Sequence, residues 1–214
     1  MMDSRRTPRR AAIAACACAL ALIVTGCGSA TSTNGAGAAR SGTQAPATSL
    51  PAGGSRGFAW LRPEPAPAGW SSVRVPSGAT LAYPSGWHVV EGDRGSATAV
   101  LLEAGGHDLG YLNLTPRQAP ETLSDWIAFR PHHNREEGER RVVAEAAAGS
   151  LRFRTGRGAC VQDSYTTSTG RRYVEIACLV EGAHASSVIV GAALAGSWSS
   201  QRATIERAID AFTA

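Results

Sequence analysis

The chain has 214 residues, of which 43% are hydrophobic and 18% charged, which suits one folded domain with tails. These values exclude both a large multidomain enzyme and wholesale disorder. The formal net charge is +4, but residues 1–26 hold four of the 21 Arg against one of the 17 acidic residues. The remainder carries a net charge of only +1, so the composition does not favour a nucleic-acid-binding protein.

The first 26 residues have the order of a secretory signal peptide. Residues 1–10 are polar and positive, and residues 11–25 form an apolar stretch that is shorter than the roughly 20 residues of a bilayer span. The stretch Val24-Thr25-Gly26-Cys27 resembles the lipobox of bacterial lipoproteins, whose Cys receives a diacylglyceryl group with fatty acids such as palmitate. This resemblance predicts a lipid on Cys27 and a location at the extracytoplasmic face of the cell membrane. The alternative is a plain signal peptide that is cleaved elsewhere, with Cys27 unmodified.

Residues 27–56 are predicted to form a flexible tether, because apart from Leu50 they offer no bulky apolar side chain to offset the entropy of ordering. Thirty such residues have a root-mean-square span of roughly 30 Å. Residues 57–70 then combine aromatic side chains with a Pro-rich run, and we call this segment the strap. We expect the strap to pack on the surface of the domain over 71–214, with docking of a partner as the alternative.

From Ser71 onward, short apolar runs alternate with turn residues, which predicts short antiparallel strands. A helix is predicted over 121–130, because four residues recur at helical spacing: Leu123, Trp126, Ile127 and Arg130. Pro131 is expected to end it. A second helix is predicted over 199–212, with an apolar stripe toward the sheet. The fold class is therefore α+β. The predicted strands are 81–83, 87–91, 98–103, 109–114, 141–148, 151–154, 159–167, 171–180 and 186–194.

Two cysteines, Cys160 and Cys178, follow the tether and are expected to form a disulfide in an oxidising compartment. The turn Ser168-Thr169-Gly170 fits a three-residue hairpin loop, and both cysteines are equidistant from Thr169, which places them opposite each other on two strands. The same count places Tyr165 opposite Tyr173. A redox-active pair is the alternative, but the sequence has no C-x-x-C motif to support it.

The order of several motifs over residues 71–214 resembles the PsbP-like lipoproteins of actinobacteria. Tyr83-Pro84-Ser85-Gly86-Trp87 stands at the start, a helix surrounds Trp126, and a late strand over 188–194 precedes the closing helix over 198–212. The resemblance implies an antiparallel sheet flanked by helices in an α-β-α sandwich. It also implies a binding or accessory protein without a shared catalytic constellation, so it assigns no catalytic residue, metal ligand or cofactor.

The richest cluster of reactive side chains is His132-His133-Asn134-Arg135-Glu136-Glu137. In a helix, His132 would share a face with Glu136, and His133 with Glu137, so that a pair could contribute two ligands to a zinc-type ion. Pro131 and Gly138 favour a solvated turn instead, which leaves His132, His133 and Glu136 as weak metal candidates. The sequence contains no H-E-x-x-H, G-x-S-x-G, Walker A or dinucleotide motif.

These observations predict a noncatalytic, lipid-anchored module of the cell envelope that binds a partner protein, an envelope polymer or a small ligand. The binding surface is expected on the sheet face or on loops at 115–120 and 131–138. The alternative from another class is an envelope hydrolase or metal-dependent enzyme that uses the region of His132, His133 and Glu136. A third possibility is a purely structural component of the envelope.

Overall fold

The computed structural model describes residues 55–90, 92–183 and 185–214. The predicted signal peptide, Cys27 and most of the tether lie outside these residues. A short 3-10 helix at Ser55–Phe58 comes first, and the two α-helices are α1 at Trp126–Glu136 and α2 at Trp198–Ala211. The strands are β1 Ser71–Arg74, β2 Thr80–Tyr83, β3 His88–Val90, β4 Ala97–Leu102, β5 Asp108–Pro116, β6 Arg140–Arg152, β7 Gly156–Thr166, β8 Arg172–Gly182 and β9 Ser186–Leu194.

Seven strands form one antiparallel sheet in the order β3-β4-β5-β9-β8-β7-β6, and β1 and β2 form a separate hairpin. Helix α2 and the β1–β2 hairpin pack on one face of the sheet, and helix α1 packs on the other. The structure confirms the predicted α+β class with helices on both sides of an antiparallel sheet. Within the described residues, no helix is long and apolar enough to cross a bilayer.

Helix α2 lies directly on the central strands because its apolar stripe meets small residues there. Ile205, Ala208, Ile209 and Phe212 are fully buried, as their i, i+3, i+4 and i+7 spacing predicts. A Cβ added at Gly191 in β9 would overlap the Ile205 side chain, so this glycine permits the close approach of α2 to the sheet.

The β7–β8 hairpin has the predicted register and the predicted disulfide. Cys160 pairs with Cys178 across the two strands, the bond between them is formed, and both residues are fully buried. The turn places Gly170 at a φ of 85°, a conformation that favours glycine. The disulfide closes the hairpin within the same core into which α2 packs.

The strap packs against the domain and is fastened to the end of α2. Phe58 is buried in the core. The backbone N–H of Arg62 donates to Asp210 Oδ1 at 2.6 Å, and Arg207 forms a 2.9 Å ion pair with Glu64. Arg207 also donates to the Pro65 carbonyl at 3.0 Å. The strap is therefore an integral part of the folded unit.

Three local predictions were wrong, each for a physical reason. Helix α1 begins at Trp126 and continues through Pro131 to Glu136, so residues 131–136 are helical rather than a solvated turn. An interior proline costs about 3 kcal/mol in an isolated helix. Pro131 is buried together with Trp126 and Asn134 of the same helix, which bond to the sheet, and this packing offsets the cost.

The other two errors concern strands. Strand β6 is continuous, because three register shifts against β7 absorb Gly149 and its neighbours that had suggested a break. Strand β1 was not predicted, because its sequence Ser-Ser-Val-Arg carries a single apolar residue.

Candidate functional site

A buried polar cluster lies between helix α1 and the sheet. On the sheet side, Tyr111, Ala192, Glu175, Asp163 and Ala144 form one cross-strand row over β5, β9, β8, β7 and β6. Glu175 and Asp163 are direct register partners, and both are fully buried. Since side chains of directly opposite residues share a face of the sheet, two carboxylates meet beneath the helix.

Helix α1 faces this row with Trp126, Arg130 and Asn134, which follow one another at intervals of four residues. Trp126 is fully buried and donates from Nε1 to the carbonyl of Ala177 at 3.1 Å. In the next two turns, the guanidinium of Arg130 and the amide of Asn134 face the sheet. The side chain of Arg130 is only 14% exposed. The buried face of α1 is therefore apolar at its start and polar along the rest of its length.

Glu175 receives most of the hydrogen bonds in the buried polar cluster. Arg130 donates from Nε to Glu175 Oε1 at 2.7 Å and from Nη2 to Oε2 at 3.1 Å, a bidentate pair. Asn134 Nδ2 donates to both carboxylates, at 3.3 Å to Glu175 Oε1 and at 3.1 Å to Asp163 Oδ2. The second oxygen of Asp163, Oδ1, is buried and has no partner within the described residues.

Two tyrosines extend the buried polar cluster toward β5. Tyr111 and Tyr165 share a hydroxyl–hydroxyl hydrogen bond of 3.1 Å, and the ring of Tyr165 stacks on Tyr173 with 6.0 Å between centroids. Burial raises the pKa of both Tyr111 and Tyr165, and the negative charge of Glu175 raises each further. Both hydroxyls are therefore protonated over the whole physiological range.

The charges of the buried polar cluster do not balance if both carboxyl groups are ionised, because only Arg130 is positive. Burial by itself lowers the pKa of Arg130, but the adjacent Glu175 carboxylate more than reverses this effect, so Arg130 stays charged. Burial, and after it the charge of Glu175, raises the pKa of Asp163 to about 8. The cluster thus consists of an Arg130–Glu175 ion pair beside a carboxyl group that holds a proton at neutral pH.

The predicted metal candidates lie on the opposite, outer side of α1. His132 Nε2 lies 3.2 Å from Glu136 Oε1, and His133 Nε2 lies 3.2 Å from Glu137 Oε1, as the helical alternative requires. The two pairs do not combine: no group of three or more His, Cys, Asp or Glu side chains suited to a metal occurs within the described residues. His132 is 67% exposed, so its pairing with Glu136 is a solvated surface contact.

The three tryptophans of residues 71–214 serve the core. Trp87 and Trp126 are buried, and Trp198 packs against the main core cluster at the start of α2. Phe129 stacks on Trp126 and on His133, with centroid distances of 5.9 Å and 5.2 Å, so an aromatic series runs from the core to the outer face of α1.

Sequence reasoning missed the buried polar cluster, although one signal for it was present. Asp163 and Glu175 are equidistant from Thr169, the same relation that pairs Cys160 with Cys178. The hairpin count therefore places the two carboxylates opposite each other, on the sheet face that the cysteines do not occupy. The contribution of Asn134 had no such signal, because α1 was predicted to end before Asn134.

Comparisons with known proteins give similarities of fold. No family model matches the chain, and no curated protein matches it. The structure is similar to the solution structure of cyanobacterial PsbP (CyanoP) from Synechocystis sp. PCC 6803, with a TM-score of 0.49 and 12% identity over 69% of this chain and 93% of that chain. It is also similar to the crystal structure of LpqN involved in cell envelope biogenesis of Mycobacterium tuberculosis, with a TM-score of 0.45 and 12% identity over 67% of this chain and 89% of that chain. The first of these proteins bears the name of the family that the sequence resembles.

Proposed function

We propose that this protein is a noncatalytic binding module of the cell envelope, held at the extracytoplasmic face of the membrane by a lipid on Cys27. The observation that carries the proposal is the buried disulfide between Cys160 and Cys178. Structural disulfides persist in oxidising compartments outside the cytosol and are rare inside it. The signal-peptide pattern and the lipobox-like Val24-Thr25-Gly26-Cys27 support the same location and add the anchor.

The proposed binding surface consists of the loop at 117–125 and the outer face of α1. The loop is exposed, yet its own hydrogen bonds hold it: Gln118 N–H donates to Glu121 Oε2 at 2.6 Å, and Arg117 Nη1 donates to the Glu121 carbonyl at 3.2 Å. A surface that is ordered before binding loses less conformational entropy when a partner arrives. Its polar character favours a polar partner, such as an envelope polymer or the rim of another protein.

The anchor is tested by replacing Cys27. We expect the wild-type protein to partition into a detergent phase and to carry the mass of an acylated N-terminal Cys, whereas Cys27→Ser should stay in the aqueous phase. Cys16→Ser is the matched control, because Cys16 lies within the predicted signal peptide and its loss should change neither property. Equal partitioning of Cys27→Ser and the wild type would refute the anchor.

The binding role is tested by site-specific photo-crosslinking in intact cells. A crosslinking residue replaces Gln118 or His132 on the proposed surface, and Ser199 or Ala203 on the exposed side of α2 serves as the control. We expect a discrete adduct from the first two positions and none from the controls. Adducts that are equal at all four positions, or monomer alone at Gln118 and His132, would contradict the proposed surface.

A further inference from the structure

We propose that helix α1 is a proton-controlled lid, which docks on the sheet while the Asp163–Glu175 pair holds one proton and is released when the pair loses it. The inference concerns the buried polar cluster and goes beyond the binding role proposed above. It does not depend on the lipid at Cys27.

The geometry of the buried polar cluster explains why a second negative charge is unfavourable there. Both carboxyl groups are fully buried, and the guanidinium of Arg130 is committed to both oxygens of Glu175. Asp163 has no cation of its own: Oδ2 accepts from the neutral amide of Asn134, and the buried Oδ1 has no partner within the described residues. A second negative charge here would be buried without compensation, a strongly unfavourable state.

The groups around Asp163 do not supply a second compensating charge. Asn134 is neutral, and Glu145 on β6 adds negative charge. Glu139, in the turn after α1, also faces the cluster, and its own pKa is raised by burial and then by Glu137 and Glu175. Within the described residues, the charged and titratable groups in or next to the cluster are Arg130 on α1, Glu139 in the turn, Glu145 on β6, Asp163 and Tyr165 on β7, Tyr173 and Glu175 on β8 and Tyr111 on β5. The exposed Arg140 on β6 acts on Glu139.

When the pair loses its proton, the element that yields is α1. Strands β7 and β8 are paired over 11 positions and joined by the disulfide, so they cannot separate without unfolding the sheet. Helix α1 has no side-chain cap at Asp125, carries Pro131 in its interior, and contacts the carboxyl groups of the sheet row through Arg130 and Asn134. Movement of α1 admits water to Asp163 and solvates the charge.

The coupling between proton binding and the release of α1 determines how strongly that release depends on pH. In the released state Asp163 is solvated and its pKa returns to the ordinary value near 4. Each release then expels one proton, so the equilibrium constant for release rises about tenfold per pH unit between pH 5 and 7.5 and levels off at higher pH. Below pH 4 both states hold the proton, and the docked state is at its most favourable.

The test is hydrogen exchange by mass spectrometry on the full chain in detergent, with exchange rates corrected for the intrinsic pH dependence of amides. Peptides from α1 should lose about tenfold in protection per pH unit between pH 5 and 7.5, and they should be less protected at every pH than peptides from the buried face of α2, which exchange only when the whole domain unfolds. Asp163→Asn keeps the shape of the protonated side chain and should remove the pH dependence of α1. Asp108→Asn, at an exposed position on β5, is the matched control and should behave as the wild type.

Three results would overturn the lid: protection of α1 equal to that of α2 at every pH, an unchanged pH dependence in Asp163→Asn, or a flat α1 profile in the wild type. If Asp163→Asn does not fold, the 13C signal of the Asp163 carboxyl group in the wild type decides. A titration midpoint above pH 6 supports the proposal, and a midpoint below pH 6 refutes it.

Discussion

Replacement of Arg130 by Met tests the central claim about the buried polar cluster, that one cation compensates one of two buried carboxyl groups. The substitution keeps the aliphatic stem and removes two hydrogen bonds to Glu175, of 2.7 and 3.1 Å. Because Glu175 is fully buried, it is left as an uncompensated charge, and loss of one partner of such a pair costs about 3–5 kcal/mol of the free energy of unfolding.

The loss in the free energy of unfolding caused by Arg130→Met should become smaller as the pH falls. Protonation neutralises the stranded carboxylate, so the deficit of Arg130→Met should shrink as the pH falls, by up to about 1.4 kcal/mol per pH unit. The assay is urea unfolding of the wild type and the variant at pH 5 and pH 7.5. Arg135→Met is the matched control, since Arg135 lies on the same helix but is exposed and bonds only to carbonyl groups of Pro131 and Val142.

A double variant separates the stranded charge from lost packing. Replacing Glu175 by Leu in the Arg130→Met background removes the uncompensated group, and we expect at least half of the lost free energy of unfolding to return. A deficit for Arg130→Met below about 1 kcal/mol at pH 7.5, or one that grows as the pH falls, would refute the charge assignment of the cluster.

Further predictions concern the sheet. Replacing both Cys160 and Cys178 by Ala should lower the free energy of unfolding by about 3 kcal/mol, as the 18-residue separation implies; an equal urea midpoint for the variant and the oxidised wild type would contradict this. Gly191→Ala should cost about 1–3 kcal/mol because its Cβ overlaps α2, whereas Gly196→Ala, whose Cβ meets nothing within 4 Å, should be neutral; melting temperatures distinguish them. The folded state favours protonated Asp163, so stability should fall as pH rises from about 5 to 8, and Asp163→Asn should flatten that profile; stability that rises over this range would be the opposite sign.

The parts of the fold that follow local rules could be predicted from the sequence. The β7–β8 register followed from counting outward from Thr169, and the stripe of α2 followed from helical spacing. Both depend on interactions between residues that are near in sequence or fixed by one turn. The order of strands in the sheet, with β9 between β5 and β8, depends on contacts distant in sequence and had no local signal.

The candidate site was harder to predict because tertiary contacts overrode local preference there. Pro131 is a strong signal for the end of a helix, yet burial on the sheet keeps α1 intact beyond it. The sequence predicts Asn134 in a solvated turn, and only the carboxylates of Asp163 and Glu175 explain why its side chain is directed inward. Burial of a polar residue is unfavourable unless the residue forms hydrogen bonds or ion pairs inside the protein. Partners that lie on strands distant in sequence leave no local sequence pattern.

The irregularity of strand β6 affects how readily copies of this chain associate through the edge of the sheet. It is 13 residues long and borders the sheet, and a straight strand of that length would offer a template for another chain. Its three register shifts and the left-handed Arg141 and Ser150 break the regular spacing of its outward-facing amide and carbonyl groups. The segment at Gly57 also lies close against Ala146. Another copy of the chain therefore meets no continuous row of amide and carbonyl groups along β6, which disfavours edge-to-edge aggregation at this strand.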